Sequence, residues 1–410
     1  MILLLQVTLY FFMVGIIFIF ESKNHDCLPI SLRPGVVVAV SIGIASIAGG
    51  GLDPVDYNIY MSMWVLQVVG VIFGIFIRDF ILIGFPQCDS GSDGGRVVAT
   101  SKAIFIFSVI SGLIFFVWKG IPMLQSNIEQ GRVDAAAEGT GYVRLFAYMS
   151  VPSGLALFAL TKKWRKIYLI LPCLIIAGMA NRSPFLYVLS PIIFFYASKN
   201  IKKMGNSKIV AAAIFLMTLI VSLGTYRVFS QEEFSSYDEY RVDIANGNVL
   251  GVAWTSFSHY ARVVADNAVL TKNLVDRGYI DLQYGLSYLI LFVTALPGEQ
   301  LSLDREIKLQ SGRDFVGGGT PPTLMGEGYV NFGYFGTFMS GIAIVLLLSY
   351  WYRGIYFAKK ENNIGAENLS PIIYGYMACW VMMSQVSGFV GASTVPMAGA
   401  IVLFLIWKMR

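Results

Sequence analysis

Charge is what this chain has least of: only 13% of its 410 residues are Asp, Glu, Lys or Arg, while 56% are hydrophobic. A water-soluble domain carries roughly a quarter of its residues charged, so a surface wetted on all sides is excluded. With a mean hydropathy of +0.65, the composition is that of an all-α polytopic membrane protein. Cysteine is also sparse. Cys27 and Cys88 fall in short loops and Cys173 and Cys379 in apolar runs, a distribution that fits neither a disulfide framework nor a zinc site. The first twenty residues lack a basic leading segment and a small-residue cleavage site, so they read as a retained helix and not as a signal peptide. Asp-x-Asp, a Walker loop, His-Glu-x-x-His and Gly-x-Ser-x-Gly are all missing. Any chemistry therefore needs neither ATP nor a metal, and no cofactor is expected. The lysines, moreover, are not gathered on a nucleic-acid-binding face. They sit between apolar runs, as in KKWRK (162–166) and KNIKKMGNSK (199–208), where they act as cytoplasmic anchors.

What is present is a series of apolar runs long enough to cross ~30 Å of hydrocarbon. They cover 1–20, 35–52, 57–77, 103–118 and 142–160, then the shorter pair 167–180 and 185–197, then 209–224, 324–352, 372–390 and 396–407. The short pair is either one long tilted helix or a hairpin; a hairpin keeps both flanking lysine clusters on one side. This gives about eleven spans. The basic loops and the C-terminus face the cytoplasm, and the N-terminus and the polar loops face outward. The chain accordingly divides into an N-terminal bundle of about eight spans (1–224), a large, mostly helical outward domain (225–322) and about three C-terminal spans (323–410).

The outward domain is the only long polar stretch, and it carries Arg227, Arg241, Arg262, Arg277, Arg305 and Arg313 against only two lysines. Arginine presents a fixed fork of donors that grips phosphate in two places. Arginines facing the outer leaflet thus point to a phosphate-bearing lipid, although acids also outnumber bases here and surface ion pairs account for arginines equally. Within the domain a helix is expected over 250–273: Trp254, Phe257, Ala261, Val264 and Ala268 make an apolar stripe opposite Thr255, His259, Arg262 and Asp266. The run 286–296 is too short to cross and reads as re-entrant or interfacial.

Several residues are candidates for chemistry. Arg182, at the junction of two short apolar runs, lies either in a cavity below headgroup level or snorkels to the interface. In GGGTPPTLMGEGYVNFGYFGTFMSG (317–341), Thr323 caps a helix whose first turn holds Glu327. Asn331 and Tyr334 follow at i+4 and i+7, and the glycines permit close approach of neighbours or of a lipid chain. Glu327 suits a general base for a sugar hydroxyl, or alternatively a carboxylate that complements a helix N-terminus. His259, with Arg262 one turn on, is the other base candidate. Asp53 and Asp56 occupy the first outward turn, either to meet a sugar or simply as an acidic turn.

Three segments together, GIPMLQSNIEQGR (120–132), ANRSPFLY (180–187) and GEGYVNFGYFG (326–336) after a long outward domain, resemble the Wzy-type O-antigen polymerases. The related O-antigen ligases share the outward loop and its arginines but usually place a His-Asn pair where this chain has Gly326-Glu327, which favours polymerase over ligase. The resemblance implies a GT-C-type membrane glycosyltransferase of the bacterial inner membrane. It would move a growing glycan from undecaprenyl pyrophosphate onto a lipid-linked repeat unit, alongside a flippase and a chain-length-regulating co-polymerase. On that resemblance Arg132, Arg182, Arg241, Arg262 and Arg313 would hold pyrophosphate, Glu327 or His259 would take the acceptor proton, and Asp56, Tyr329 and Asn331 would line the substrate site. A flippase for the same lipid is the rival from another class; it would place charge at mid-bilayer and often show repeats, and no internal repeat stands out.

Overall fold

The computed structural model describes residues 2–22, 28–48, 52–82, 94–125, 140–181, 184–199, 249–293, 302–313, 319–360 and 364–389, with scattered single positions elsewhere. Among the described residues all regular structure is helical. In chain order the helices are α1 (Ile2–Ser22), α2 (Pro34–Ala48), α3 (Pro54–Leu82), α4 (Gly94–Lys119), α5 (Gly141–Tyr148), α6 (Ser150–Leu160) and α7 (Ile167–Gly178). They continue as α8 (Pro184–Lys199), α9 (Val249–Asp276), α10 (Leu286–Val293), α11 (Leu303–Gln310), α12 (Thr323–Lys360) and α13 (Ile364–Ser387). Among the described residues, four segments are long and apolar enough to cross a membrane: Pro54–Arg78, Gly95–Lys119, Gly141–Leu160 and Thr323–Ala358. Helices α7 and α8 are separate, with Ala180 at φ +55° between them.

Two compact units emerge. The first joins Met1–Ser90, Phe194–Gly205 and Ala261–Ser393; the second joins Gly91–Ile193, Asn206–Tyr260 and Thr394–Arg410. In the second, α4 packs on α5 and α6, and α6 on α7. Phe105 meets Tyr168 edge-on at 5.3 Å, and the Asn181 amide donates to the Tyr148 hydroxyl at 2.5 Å. The basic turn after α6 is not wholly loose: Arg165 donates to the Phe158 carbonyl at 2.7 Å and lies over its ring.

The first unit is built on α3, α12 and α13, with α1 and α2 against them. Helices α3 and α12 approach closely because small residues meet. A Cβ at Gly70 would run into the Phe338 carbonyl, and one at Gly341 into the Gln67 carbonyl. Gly70 and Gly74 form a Gly-x-x-x-Gly pair, the pattern that lets membrane helices touch backbone to backbone.

Helix α12 is not one rod. Phe332 (φ −145°, ψ 25°) and Gly333 (φ 60°, ψ −145°) leave helical geometry, and Gly333 takes a conformation open to glycine alone. The Thr337 hydroxyl donates to the Met325 carbonyl at 3.1 Å, whereas an unbroken helix would separate these residues by about 18 Å. A Cβ at Gly328 would stand 2.7 Å from the Gly336 carbonyl oxygen. The chain therefore doubles back, and a short arm (323–331) lies antiparallel against the start of a long arm (334–360). Of the two, only the long arm is long enough to cross ~30 Å of hydrocarbon.

At the far end of this unit, Glu21 and Arg78 form a buried ion pair. Arg33 donates to the carbonyls of Glu21 and Leu28, and the Gly35 amide to Glu21 Oε1 at 3.2 Å. Arg33 and Arg78 are thus consumed inside the protein, at 5% and 3% exposure. Removing one partner strands the other as an uncompensated buried charge. Glu21→Ala should cost about 3–5 kcal/mol of stability, seen as a marked fall in the thermal midpoint. The exposed pair Arg262–Asp266, 3.9 Å apart, should contribute less than about 1 kcal/mol in the same assay.

Candidate functional site

The short arm of α12 is the element around which the polar side chains of the first unit gather. Thr323 starts it: its hydroxyl accepts from the Gly326 amide at 3.2 Å, the cap expected from the sequence. Glu327 falls in the second turn rather than the first, as no acid lies in the first turn. Its side chain is fully buried, and its Oε2 accepts a hydrogen bond from the Phe389 amide. That amide is presented by a turn at the end of α13, where Gly388 has φ +78° and a Cβ would stand 2.8 Å from the carboxylate. Phe389 is itself pinned. Its ring lies against Trp380 at 4.4 Å and meets Tyr288 edge-on at 6.0 Å, while its carbonyl accepts from the Trp380 indole at 3.3 Å.

Asn331 follows one turn after Glu327 and donates to the Glu327 carbonyl at 2.8 Å. Its amide nitrogen also reaches the Ser287 hydroxyl at 2.6 Å, and its Oδ1 accepts from the Gly285 amide at 2.8 Å. Both polar atoms of this buried residue are spent on holding 283–287 to the short arm, helped by the Gln283 and Tyr284 amides on the Val330 and Asn331 carbonyls. Tyr334 does not share this face, because the reversal at Phe332–Gly333 intervenes.

Helix α9 supplies the other wall. Its range, Val249–Asp276, extends the expected helix by a few residues, and Val264, Ala265, Ala268 and Val269 are buried while Arg262 is exposed. Thr271 touches Gly326. One residue on, Lys272 pairs with Asp276 and lies 5.3 Å and 5.6 Å from the Tyr329 and Tyr334 ring centres. The Tyr329 hydroxyl donates to Asp276 Oδ1 at 2.6 Å. One turn back, Arg313 donates to Asn267 Oδ1 at 2.6 Å. Leu274, Ile280, Leu303, Ile307 and Val330 close a small apolar core beneath, joining α9 and α11 to the short arm.

Of the residues singled out from the sequence, then, Glu327, Asn331, Tyr329 and Arg313 come together around the short arm and α9. Arg262 faces away, in a surface pair. Asp56 sits in the first turn of α3 behind Asp53, whose Oδ1 caps the Val55 and Asp56 amides at 3.0 Å, so the acidic turn has a structural task. Arg132, Arg182 and Arg241, and the side chain of His259, lie outside the described residues. Sequence reasoning missed Lys272, Asp276, Ser287, Asn267 and Phe389. The first two were readable as an i,i+4 charge pair, whereas Phe389 is 62 positions from Glu327 and left no local trace. Among the described residues no three His, Cys, Asp or Glu side chains are grouped to hold a metal.

No family model, curated protein or solved structure matches the chain, so the likeness to Wzy-type polymerases rests on its short motifs.

The Lys272–Asp276 pair makes the cluster sensitive to pH. Burial alone would raise the Asp276 carboxyl, but hydrogen bonds from Lys272 and Tyr329 outweigh it and hold the group below its ordinary value. Burial alone would lower Lys272, but Asp276 and Tyr334 reverse this and hold it above. The lowered acid contributes stability above its unfolded value near ~4, lost as pH falls; the raised base contributes below ~10, lost as pH rises. Asp276→Asn should therefore flatten the decline of the thermal midpoint below about pH 4. Glu306, pushed up by burial and by Asp281 against the hydrogen bond from Gln283, acts with opposite sign and loses stabilising effect as pH rises.

Proposed function

We propose that this chain is a membrane glycosyltransferase. It would transfer a growing glycan from undecaprenyl pyrophosphate to the terminal sugar of a lipid-linked repeat unit, at the outer face of a bacterial inner membrane. The observation that carries the reading is the reversed helix, which buries the carboxylate of Glu327 against the Phe389 amide on an arm that Tyr329 ties to Asp276 of α9. Counting roughly 20 residues back along the long arm from Arg353 puts the outer edge of the hydrocarbon near Gly333. Glu327, on the short arm that turns back there, is then within about 10 Å of that edge.

In the proposed reaction the acceptor hydroxyl oxygen attacks the anomeric carbon, and the bond from that carbon to the pyrophosphate oxygen breaks. The hydroxyl proton passes to Glu327, and the pyrophosphate leaves on its lipid with its charge offset by guanidinium groups from Arg132, Arg182, Arg241 and Arg313. His259 is the alternative base. With its carboxylate buried and bonded to the Phe389 amide, Glu327 would act in this reaction once the Gly388–Phe389 turn moves aside.

A second reading is favoured by the same feature. An interrupted helix that carries a buried carboxylate is also how secondary transporters build substrate sites, and a flippase for the same lipid would use it so. Reconstitution with purified lipid-linked repeat units separates the two: a ladder of lengthened products means transfer, and movement of unaltered lipid between leaflets means transport. Glu327→Gln and Arg182→Ala should each reduce ladder formation by about 10²–10⁴-fold with the protein inserted and abundant; undiminished long chains in both remove them from the site. For topology, a reporter at Ser235 should be active only outside the cytoplasm and one at Lys203 only within it.

A further inference from the structure

We infer that the first unit holds a structural water between α3 and α13, bound by Gln67 and Gln385. Both side chains are buried, at 0% and 2% exposure. The Gln67 amide nitrogen donates to Gln385 Oε1 at 3.2 Å, which uses one half of each amide. The other halves, Gln67 Oε1 and Gln385 Nε2, have no partner among the described residues. One is an acceptor and the other a donor, and leaving either unpaired in the interior is costly. A single molecule that donates to the first and accepts from the second satisfies both, and water does so without charge. A metal ion fits less well, since one of the two atoms is a donor and, among the described residues, no group of acidic or other metal-binding side chains stands by.

The position gives the water a part in the site. Gln385 is one turn before Gly388, whose amide bonds the Ser384 carbonyl at 2.9 Å and whose neighbour Phe389 holds Glu327. The Gln67 carbonyl lies against Gly341 of the long arm. The water thus ties α3 to the last turn of α13, directly before the turn that covers the carboxylate.

The test is hydroxyl-radical footprinting by brief X-ray radiolysis of the full-length protein in lipid nanodiscs, which labels side chains next to bound interior water. Met63 is the reporter, fully buried and one turn before Gln67 on the same face of α3. Met63 should oxidise readily in the native protein despite its burial, and several-fold more slowly in Gln67→Leu/Gln385→Leu. Each single leucine variant should lower the thermal midpoint, and the double variant should recover most of the loss. An unlabelled Met63 in the native protein, or equal labelling in the folded double variant, overturns the proposal; in the first case the two amides close on each other as a dry ring. No substrate or activity enters the measurement, so it stands apart from any failure of the glycosyltransferase reading.

Discussion

Two stretches of backbone, at Gly328 and Gly336, lie so close that neither position has space for a methyl group, and the first unit depends on that contact. Only because the chain reverses at Phe332–Gly333 can the short arm lie against the start of the long arm. The short arm, in turn, carries most connections of the polar cluster. Thr271 reaches Gly326 and Asp276 reaches Tyr329 from α9; Ser287 and Gly285 reach Asn331, and Phe389 reaches Glu327 from α13. Membrane helices cannot rely on water-driven collapse to find one another, so close backbone packing and hydrogen bonds do the work. The same logic sets α3 on α12 through Gly70 and Gly341.

The cluster also has a division of labour. Asn331, Thr323 and the Val330 carbonyl spend their hydrogen-bonding capacity on shaping the short arm. Lys272, Asp276 and Tyr329 fasten it to α9. Glu327 differs, since its carboxylate is held by a two-residue turn rather than by a helix. Phe389 sits between Trp380 and Tyr288, an aromatic clasp that fixes the turn without covalent or ionic ties.

Much of this architecture was legible in the sequence. The long apolar runs became α3 and α4, the two-faced pattern around Val264 and Ala268 became α9, and Thr323 caps where it was expected to. The reversal was not legible, because Phe332 and Gly333 fall inside an apolar stretch that reads as one span on hydropathy alone. The glycines around it were read as space for a neighbour or a lipid chain, and the neighbour proved to be the same helix folded back. The Gly70–Gly74 pair was readable and passed over. Nothing local in the sequence announces Glu21 as the partner of Arg33 and Arg78. Likewise, no periodicity connects Phe389 to Glu327: contacts between distant elements are set by packing, not by pattern.

The Glu21–Arg78 pair has a bearing on how the protein is made. Its members are 57 positions apart and belong to the first and third helices, so during synthesis the first helix carries a lone carboxylate until the third has left the ribosome. Neither helix is therefore complete on its own: each carries a buried charge that the other offsets.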